Sequence, residues 1–179
     1  MSIDAAVRAA LLAIARGAVE DAVERRPPRS ASACDLAEAS GAFVTLKKDG
    51  ALRGCIGTLE CRRPLADEIA RVAVSAARED PRFPPVTPAE LPALSVEVSV
   101  LGPLEPIDPW DPDAIVIGRH GLVVEQGWCR GLLLPQVAPE WGWDPKEFLA
   151  RTCRKAGLPI DAWRHGAQVY RFEADVFGE

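Results

Sequence analysis

The chain lacks several features that define common classes of protein. Its 179 residues contain no asparagine, so the sequence offers no N-glycosylation acceptor. Acidic residues outnumber basic ones, 26 to 21, and a formal net charge of −5 does not favour nucleic-acid binding. Only two histidines are present, and the cysteines are scattered. The sequence therefore predicts neither a nucleic-acid-binding protein nor a metalloprotein.

A long apolar run is also missing. The best candidate, residues 5–23, is interrupted by Arg8, Arg16, Glu20 and Asp21, whereas a membrane-spanning helix needs about 20 predominantly apolar residues. The same segment lacks the basic start and the cleavage pattern of a signal peptide. We therefore expect a cytoplasmic protein that does not interact with a membrane.

The cysteines do not form a recognisable framework. There are five of them, Cys34, Cys55, Cys61, Cys129 and Cys153. An odd number without a secretion signal argues against structural disulfides. No pair has Cys-x-x-Cys spacing, and the phosphate-binding glycine loop, Gly-x-Ser-x-Gly and His-Glu-x-x-His are all absent. No common catalytic signature therefore identifies a reaction.

Helical and strand-like patterns are interspersed along the chain. The hydrophobic spacing predicts helices over about 3–24, 64–79 and 145–156, the last with Asp144 as its N-cap. Strands are predicted over about 42–48, 51–59, 94–101, 114–117, 122–125, 130–134 and 169–177, those between 114 and 134 as a β-meander. This pattern predicts an α+β fold of mostly antiparallel sheets flanked by helices. The chain is interpreted as a single domain, residues 1–179, with a subdomain boundary near the Pro- and Asp-rich segment 103–113.

The strongest candidate for chemistry is residues 52–57, LRGCIG, which follow an Asp-Gly pair typical of a tight hairpin turn. Arg53 and Cys55 are two apart on a predicted strand, so both side chains point to one face. A nearby cation stabilises the nucleophilic thiolate form of a cysteine. Gly54 and Gly57 would bring bare backbone close to the sulfur and a ligand. The alternative is a small buried cysteine in a tightly packed corner.

Two further residues could move protons at such a site. His120 lies between Gly118 and Gly121 in a predicted turn, where it could act as a general base for Cys55. Alternatively, histidine is there because it tolerates the positive φ of a tight turn. Glu97 interrupts an apolar strand, and its flanking serines would leave room for a ligand. The alternative for Glu97 is a solvated sheet face or a salt bridge to an arginine.

A proline-framed loop supplies the remaining candidates for ligand binding. It carries Asp80, Arg82 and Phe83, which stiff prolines would present with little loss of entropy on binding. The alternative is an ion pair that locks the loop onto the sheet. Gln136 follows an apolar strand end and could line a cleft, whereas nearby Trp141 is assigned to core packing.

Taken together, six segments resemble the AMMECR domain family, also called AmmeMemoRadiSam system protein A in bacteria and archaea. They occur in the family's order and cover nearly the whole chain: LRGCIG (52–57), DPRFPPV (80–86), VEVSVL (96–101), IGRHGL (117–122), GLLLPQV (131–137) and FLARTCRKAGL (148–158). The combination is specific, although each segment alone would be weak evidence.

The resemblance implies an α+β fold of two subdomains, with these sequence motifs lining a cleft. It also implies Memo-like and radical-SAM companion proteins, but neither a known reaction nor a cofactor. Two functions remain open. In the first, the protein is an enzyme or enzyme component with Cys55 as nucleophile, Arg53 stabilising charge, and His120 or Glu97 moving protons. In the second, it is a non-catalytic module that binds a ligand or its companions.

Overall fold

The structure is a computed structural model that describes residues 3–29, 39–111 and 113–179. Cys34 and the loop predicted around it lie outside these residues. In chain order the elements are α1 (Ala5–Glu24), β1 (Gly41–Lys48), β2 (Ala51–Thr58), α2 (Leu65–Arg78), β3 (Leu94–Leu101), β4 (Glu105–Pro106), β5 (Gly121–Gln126), β6 (Cys129–Leu133), α3 (Val137–Trp141), α4 (Pro145–Lys155), β7 (Gln168–Phe172) and β8 (Ala174–Gly178). Short 3-10 helices cover Pro88–Ala93 and Ala162–Arg164.

These elements form two compact units, each built on a four-stranded sheet. The first unit extends to Leu101 and includes Asp175–Glu179, and the second is Gly102–Ala174. The first sheet has the strand order β2-β1-β3-β8 and the second has β4-β7-β5-β6. Antiparallel pairing in both, with flanking helices, confirms the predicted α+β class. Among the helices described, none is long and apolar enough to cross a membrane.

The first unit buries one face of its sheet under α1 and α2. Alternate residues of β1 and β3 point to this face and are fully buried: Ala42, Val44, Leu46, Val96, Val98 and Val100. They pack against the apolar stripes of both helices in one core. By the same alternation, the opposite face carries Phe43, Thr45, Lys47, Glu97 and Ser99. Most of the polar side chains of this sheet therefore share the face that the helices leave free.

The hairpin of β1 and β2 contains an irregularity beside Cys55. Its turn residues Asp49 and Gly50 both have positive φ, 51° and 80°, as the Asp-Gly pair predicted. The register then shifts, because Lys47 pairs with Leu52 whereas Leu46 pairs with Gly54. Arg53 is thus the extra residue of a β-bulge, which brings Cys55 opposite a different residue of β1 than a regular hairpin would.

The second unit packs α4 against its sheet. Buried Phe148, Leu149 and Cys153 of this helix lie in one core with residues of β5 and β7. The predicted helix boundaries are confirmed, because Asp144 Oδ1 accepts a hydrogen bond from the Glu147 N–H, 2.8 Å away. Gly157 follows the helix with a φ of 75°, the left-handed conformation that ends helices.

Several sequence-based expectations are corrected by the structure. Residues 114–117 are not a strand but part of a turn in which the Val116 carbonyl accepts two backbone N–H bonds. The β-meander is therefore wrong, and β5 lies between β6 and the distant β7. The single strand predicted over 169–177 is two strands, interrupted at Glu173, that belong to different sheets. Helix α2 begins at Leu65, with Pro64 as its N-cap rather than its first helical residue.

We predict that Gly54→Ala destabilises the first unit. A Cβ at this position would lie 2.2 Å from the Ala76 carbonyl oxygen of α2, so the helix would have to move away from the sheet. Overpacking of this kind costs about 1–3 kcal/mol of the free energy of unfolding, which urea denaturation would measure. The matched control is Gly17→Ala in α1, where the new methyl meets only the flexible end of Arg29. The control should be neutral or stabilising by up to about 1 kcal/mol, and equal losses in both variants would contradict this packing argument.

Candidate functional site

Three side chains form a row across the free face of the first sheet. Thr45 of β1 pairs with Cys55 of β2 on one side and with Glu97 of β3 on the other. Directly opposed residues of neighbouring strands point to the same face. The sheet therefore brings the predicted residues Cys55 and Glu97 together, with Thr45 between them.

Hydrogen bonds fix both ends of this row. The Thr45 hydroxyl donates to Cys55 Sγ over 3.3 Å. Lys47 Nζ donates to Glu97 Oε2 over 2.9 Å, so Glu97 is paired with a lysine rather than with an arginine. Because neighbouring strands are about 4.8 Å apart, the backbones of Cys55 and Glu97 are separated by about 10 Å. Cys55 is half-buried and the Glu97 side chain is 26% exposed, so both remain accessible.

The backbone of Cys55 is held by the proline-framed loop. Its N–H donates to Asp80 Oδ2 over 2.8 Å, and its carbonyl accepts from Arg82 Nη2 over 3.3 Å. Asp80 and Arg82 also form a two-pronged ion pair, with distances of 2.9 and 2.7 Å. The Arg82 guanidinium, helped by the Cys55 N–H, holds the pKa of the buried Asp80 carboxyl well below its usual range despite burial. The loop is thus locked onto the sheet edge, which was the structural alternative for these residues.

Arg53 forms an ion pair with Glu90. Its Nε and Nη2 donate to the carboxylate of Glu90 over 2.9 and 3.2 Å, and Lys48 approaches the same carboxylate at 3.3 Å. Arg53 first, and then the Thr87 N–H, lower the pKa of Glu90 well below its usual range. The charge of Arg53 is therefore largely neutralised. The ring of Phe83 lies near two cations, 5.9 Å from the Arg53 guanidinium and 5.5 Å from that of Arg82.

Close packing explains both glycines beside Cys55. At Gly54 the space for a Cβ is filled by the Ala76 carbonyl of α2, on the core side of the sheet. At Gly57 a Cβ would lie 2.2 Å from the ring of Phe43. Because neither residue has a side chain, helix α2 packs closely against Gly54 and the Phe43 ring packs closely against Gly57.

Ser99 lies on the same face as Thr45 and Glu97, one row further along the sheet. It is only 1% exposed, and its Oγ has no hydrogen-bond partner among the described residues. A buried hydroxyl without a partner is costly, and an unassigned water or ligand is a common reason for one.

The second unit contains the other two predicted site residues. His120 is buried, and its Nδ1 accepts a hydrogen bond from the Val116 N–H, 3.0 Å away. Burial lowers the pKa of His120, and nearby arginines lower it further. In the neutral imidazole the Nδ1 lone pair is thus engaged by Val116, and the ring proton lies on Nε2. Its φ is not positive; the left-handed conformation in this turn belongs to Gly118, at 84°.

Gln136 immediately precedes the short helix α3. Its Oε1 is buried and, within the described residues, lacks a hydrogen-bond partner. Pro139 of the same helix packs against Gly118, 3.5 Å from the position that a Cβ would take there. Trp141, expected in the core, is instead 70% exposed and stacks on Trp143 with ring centroids 6.1 Å apart.

A pocket of 630 Å³ lies elsewhere, between α1 and α2. Its described lining is mostly small and apolar, including Ala10, Ala13, Gly17 and Ala18, and no predicted site residue contributes to it. In the three described ranges, no group of three or more His, Cys, Asp or Glu side chains is arranged to hold a metal ion.

Sequence reasoning missed three residues that complete the first unit's site. Thr45, Lys47 and Glu90 contact Cys55, Glu97 and Arg53 respectively. The spacing of Thr87 and Glu90 predicts a short capped turn of helix, which the structure confirms, but this local pattern does not predict the contact of Glu90 with Arg53. No sequence signal pointed to Thr45, because its position opposite Cys55 depends on the bulge at Arg53.

We predict that Asp80→Asn destabilises the protein in a pH-dependent way. Loss of the charged hydrogen bonds to Arg82 and the Cys55 N–H costs about 1.5–3 kcal/mol of the free energy of unfolding at pH 7. Because the folded pKa of Asp80 lies below its unfolded value of about 3.9, this stabilisation is complete above about pH 4. It is lost as the pH falls towards the folded pKa.

Urea denaturation from pH 7 to pH 2 would measure this difference. The gap between the wild type and Asp80→Asn should narrow as the pH falls below 4. The exposed Asp113→Asn should follow the wild type at every pH. A gap that stays constant down to pH 2 would show that the Asp80 carboxylate does not support the loop in its charged form.

Comparison with known proteins places this chain among archaeal relatives. A protein from Methanothermobacter thermautotrophicus is 58% identical over 144 residues, covering 78% of this chain and 75% of that protein. A protein from Thermofilum pendens is 50% identical over 190 residues, covering 96% and 89%. The crystal structure of uncharacterized protein PH0010 from Pyrococcus horikoshii has 46% identity and a TM-score of 0.84, covering 94% of this chain and 89% of that one.

The family profile gives the same result. The AMMECR1 profile matches residues 12–177, which includes all six segments on which the sequence resemblance rests. The similarity of sequence, order of motifs and fold leads to one assignment. This chain belongs to the AMMECR1 family.

Proposed function

We propose that this protein is a cytoplasmic enzyme, or a component of one, in which Cys55 bonds covalently to a small electrophilic substrate. The observation that carries the proposal is the row of Cys55, Thr45 and Glu97 on one sheet face. The backbones of these two end residues are about 10 Å apart, and we propose that a small substrate binds over Thr45 between them.

Cys55 is held as a preorganised nucleophile would be. Asp80 and Arg82 fix its backbone, and the Thr45 hydroxyl contacts its sulfur. Few degrees of freedom are then lost when the sulfur approaches a substrate carbon. A cysteine that served only as a small core residue would be buried, as Cys153 is, rather than half exposed.

The proposed step is a nucleophilic displacement. The Cys55 thiolate attacks an electrophilic carbon, a sulfur–carbon bond forms, and the bond from that carbon to its leaving group breaks. The leaving group takes the electron pair and a proton from water. An acceptor nucleophile then attacks the same carbon and releases the sulfur. Glu97, two strands away, acts on the substrate rather than on the sulfur.

The charged groups around the sulfur have supporting roles in this proposal. Arg53 is neutralised by Glu90, so it supports the loop and does not activate Cys55. Arg82 is 52% exposed, contacts the Cys55 carbonyl and is ion-paired with Asp80, so it too supports the loop. Phe83 lies beneath its guanidinium as an apolar contact.

One buried polar atom in each unit supports ligand binding. Ser99 Oγ lies on the face that carries Cys55, and Gln136 Oε1 lies in the unit that carries His120. Neither has a partner among the described residues, whereas most buried polar groups of native proteins have one. Both occur in segments that define the family resemblance.

We predict that Cys55 reacts faster than Cys129 with iodoacetamide at pH 7, by about ten-fold or more. Cys129 is exposed and Cys55 only half so, which means that accessibility alone predicts the opposite order. The fixed position of the Cys55 sulfur in the proposed site reverses it. Peptide-resolved mass spectrometry of the native protein would measure both rates.

Site-specific variants complete this experiment. Cys55→Ser should remove the fast phase, and Cys129→Ser should leave it unchanged. If Cys55 reacts no faster than Cys129 in the folded protein, the proposal of a nucleophilic cysteine fails.

A second candidate function, a binding module, is favoured by exposed tryptophans of the second unit. Trp110, Trp128 and Trp141 are 64%, 104% and 70% exposed. Tryptophan is the side chain most enriched among the dominant contacts of protein interfaces. The partners would be the Memo-like and radical-SAM companions that the family resemblance implies.

We predict for this second function that Trp128→Ala weakens binding to a purified Memo-like or radical-SAM companion about 30-fold, as loss of an interface anchor does. Calorimetric titration under native conditions would measure the affinity. Cys55→Ser and Val176→Ala, which removes an exposed apolar side chain from the first unit, should bind normally. No binding of either companion by the wild type would count against this function.

A further inference from the structure

Among the contacts described, the Thr45 hydroxyl forms one hydrogen bond, to the sulfur of Cys55. It is 9% exposed and lies directly opposite Cys55, and its hydroxyl donates to Cys55 Sγ over 3.3 Å. Its β-branched side chain has few allowed rotamers on a strand, so the hydroxyl stays aimed at the sulfur. This contact arises because the bulge at Arg53 sets the register.

The other charged groups near Cys55 are held in ion pairs. They are Asp80 with Arg82, Glu90 shared by Arg53 and Lys48, and Glu97 with Lys47. An opposite charge at hydrogen-bond distance reduces the field of each charged group at the sulfur. A hydroxyl dipole in direct contact with the sulfur is not reduced in this way.

A hydroxyl that donates to sulfur favours the thiolate over the thiol, because only the thiolate gains a charge-assisted hydrogen bond. The same contact fixes the sulfur above the sheet, on the side where Glu97 and Ser99 also point. We infer that Thr45 is a positioning residue that orients the Cys55 sulfur and sets its thiolate fraction. This inference rests on the proposed nucleophilic role of Cys55.

The chain offers a conservative set of variants at this position. Thr45→Val keeps the shape and the β-branching but removes the hydroxyl, and Thr45→Ser keeps the hydroxyl. Thr45→Ala is a second hydroxyl-free variant if valine prevents folding. Thr58→Val is the matched control, because the Thr58 hydroxyl bonds to the Glu60 carbonyl at the other end of β2.

The experiment follows iodoacetamide labelling of Cys55 from pH 5 to pH 10. Cys55 and Cys61 share the tryptic peptide 54–62, so fragment ions must separate them, and Cys61 then serves as an internal reference. Burial raises the pKa of the Cys61 thiol, so it should label only at high pH in every variant.

In Thr45→Val, and in Thr45→Ala, the midpoint of the Cys55 pH–rate profile should rise by about one pH unit, and the rate at pH 7 should fall by about three- to ten-fold. Thr45→Ser should restore most of the wild-type profile, and Thr58→Val should not change it. A merely structural threonine would alter thermal stability without moving this midpoint.

A wild-type profile in a folded Thr45→Val protein would overturn the inference. This result can be separated from failure of the proposed function, since the midpoint is measured whether or not Cys55 outpaces Cys129. A wild-type Cys55 that labels slowly contradicts the proposed nucleophilic role of Cys55. An unshifted midpoint in Thr45→Val contradicts only the positioning role of Thr45.

Discussion

The hydrogen bond from the Cys55 N–H to the Asp80 carboxylate is the contact on which the first unit's site depends. β2 is an edge strand of the described sheet, so outward-facing backbone groups at Cys55 have no strand to pair with. Asp80 accepts the N–H, and Arg82 donates to the carbonyl. A short loop thus replaces the missing strand at one residue. Because Arg82 keeps Asp80 charged, this support persists at neutral pH.

The bulge at Arg53 has a second consequence for the same site. A regular two-residue hairpin would place Thr45 opposite Gly54 and on the other face from Cys55. The shift of one residue puts Thr45 beside the sulfur and frees Arg53 to reach Glu90. It also leaves Gly54 facing α2, where only a glycine fits under the Ala76 carbonyl. One inserted residue therefore links helix packing, loop anchoring and the environment of the cysteine.

The limits of sequence reasoning follow from this geometry. Strong local signals predicted β3, the Asp-Gly turn and the boundaries of α4, because each depends on residues within a few positions. The pairing of Glu97 with Lys47 and of Arg53 with Glu90 depends on register and chain reversal, which a linear pattern does not encode. Residues 114–117 have strand composition, but a turn that ends at His120 outweighs that propensity. The sequence offered Cys55 and Glu97 as candidates, whereas the threonine between them became visible only in the structure.

We propose that the thiol of Cys55 is more reactive in the folded protein than in the unfolded chain. The most direct measurement compares iodoacetamide labelling of Cys55 at pH 7 in the native protein and in urea. We predict a native-to-unfolded rate ratio above one at Cys55, and a ratio far below one at buried Cys153, whose pKa is raised by burial. A ratio below one at Cys55 would contradict the account, because the surroundings of the sulfur would then protect it rather than activate it.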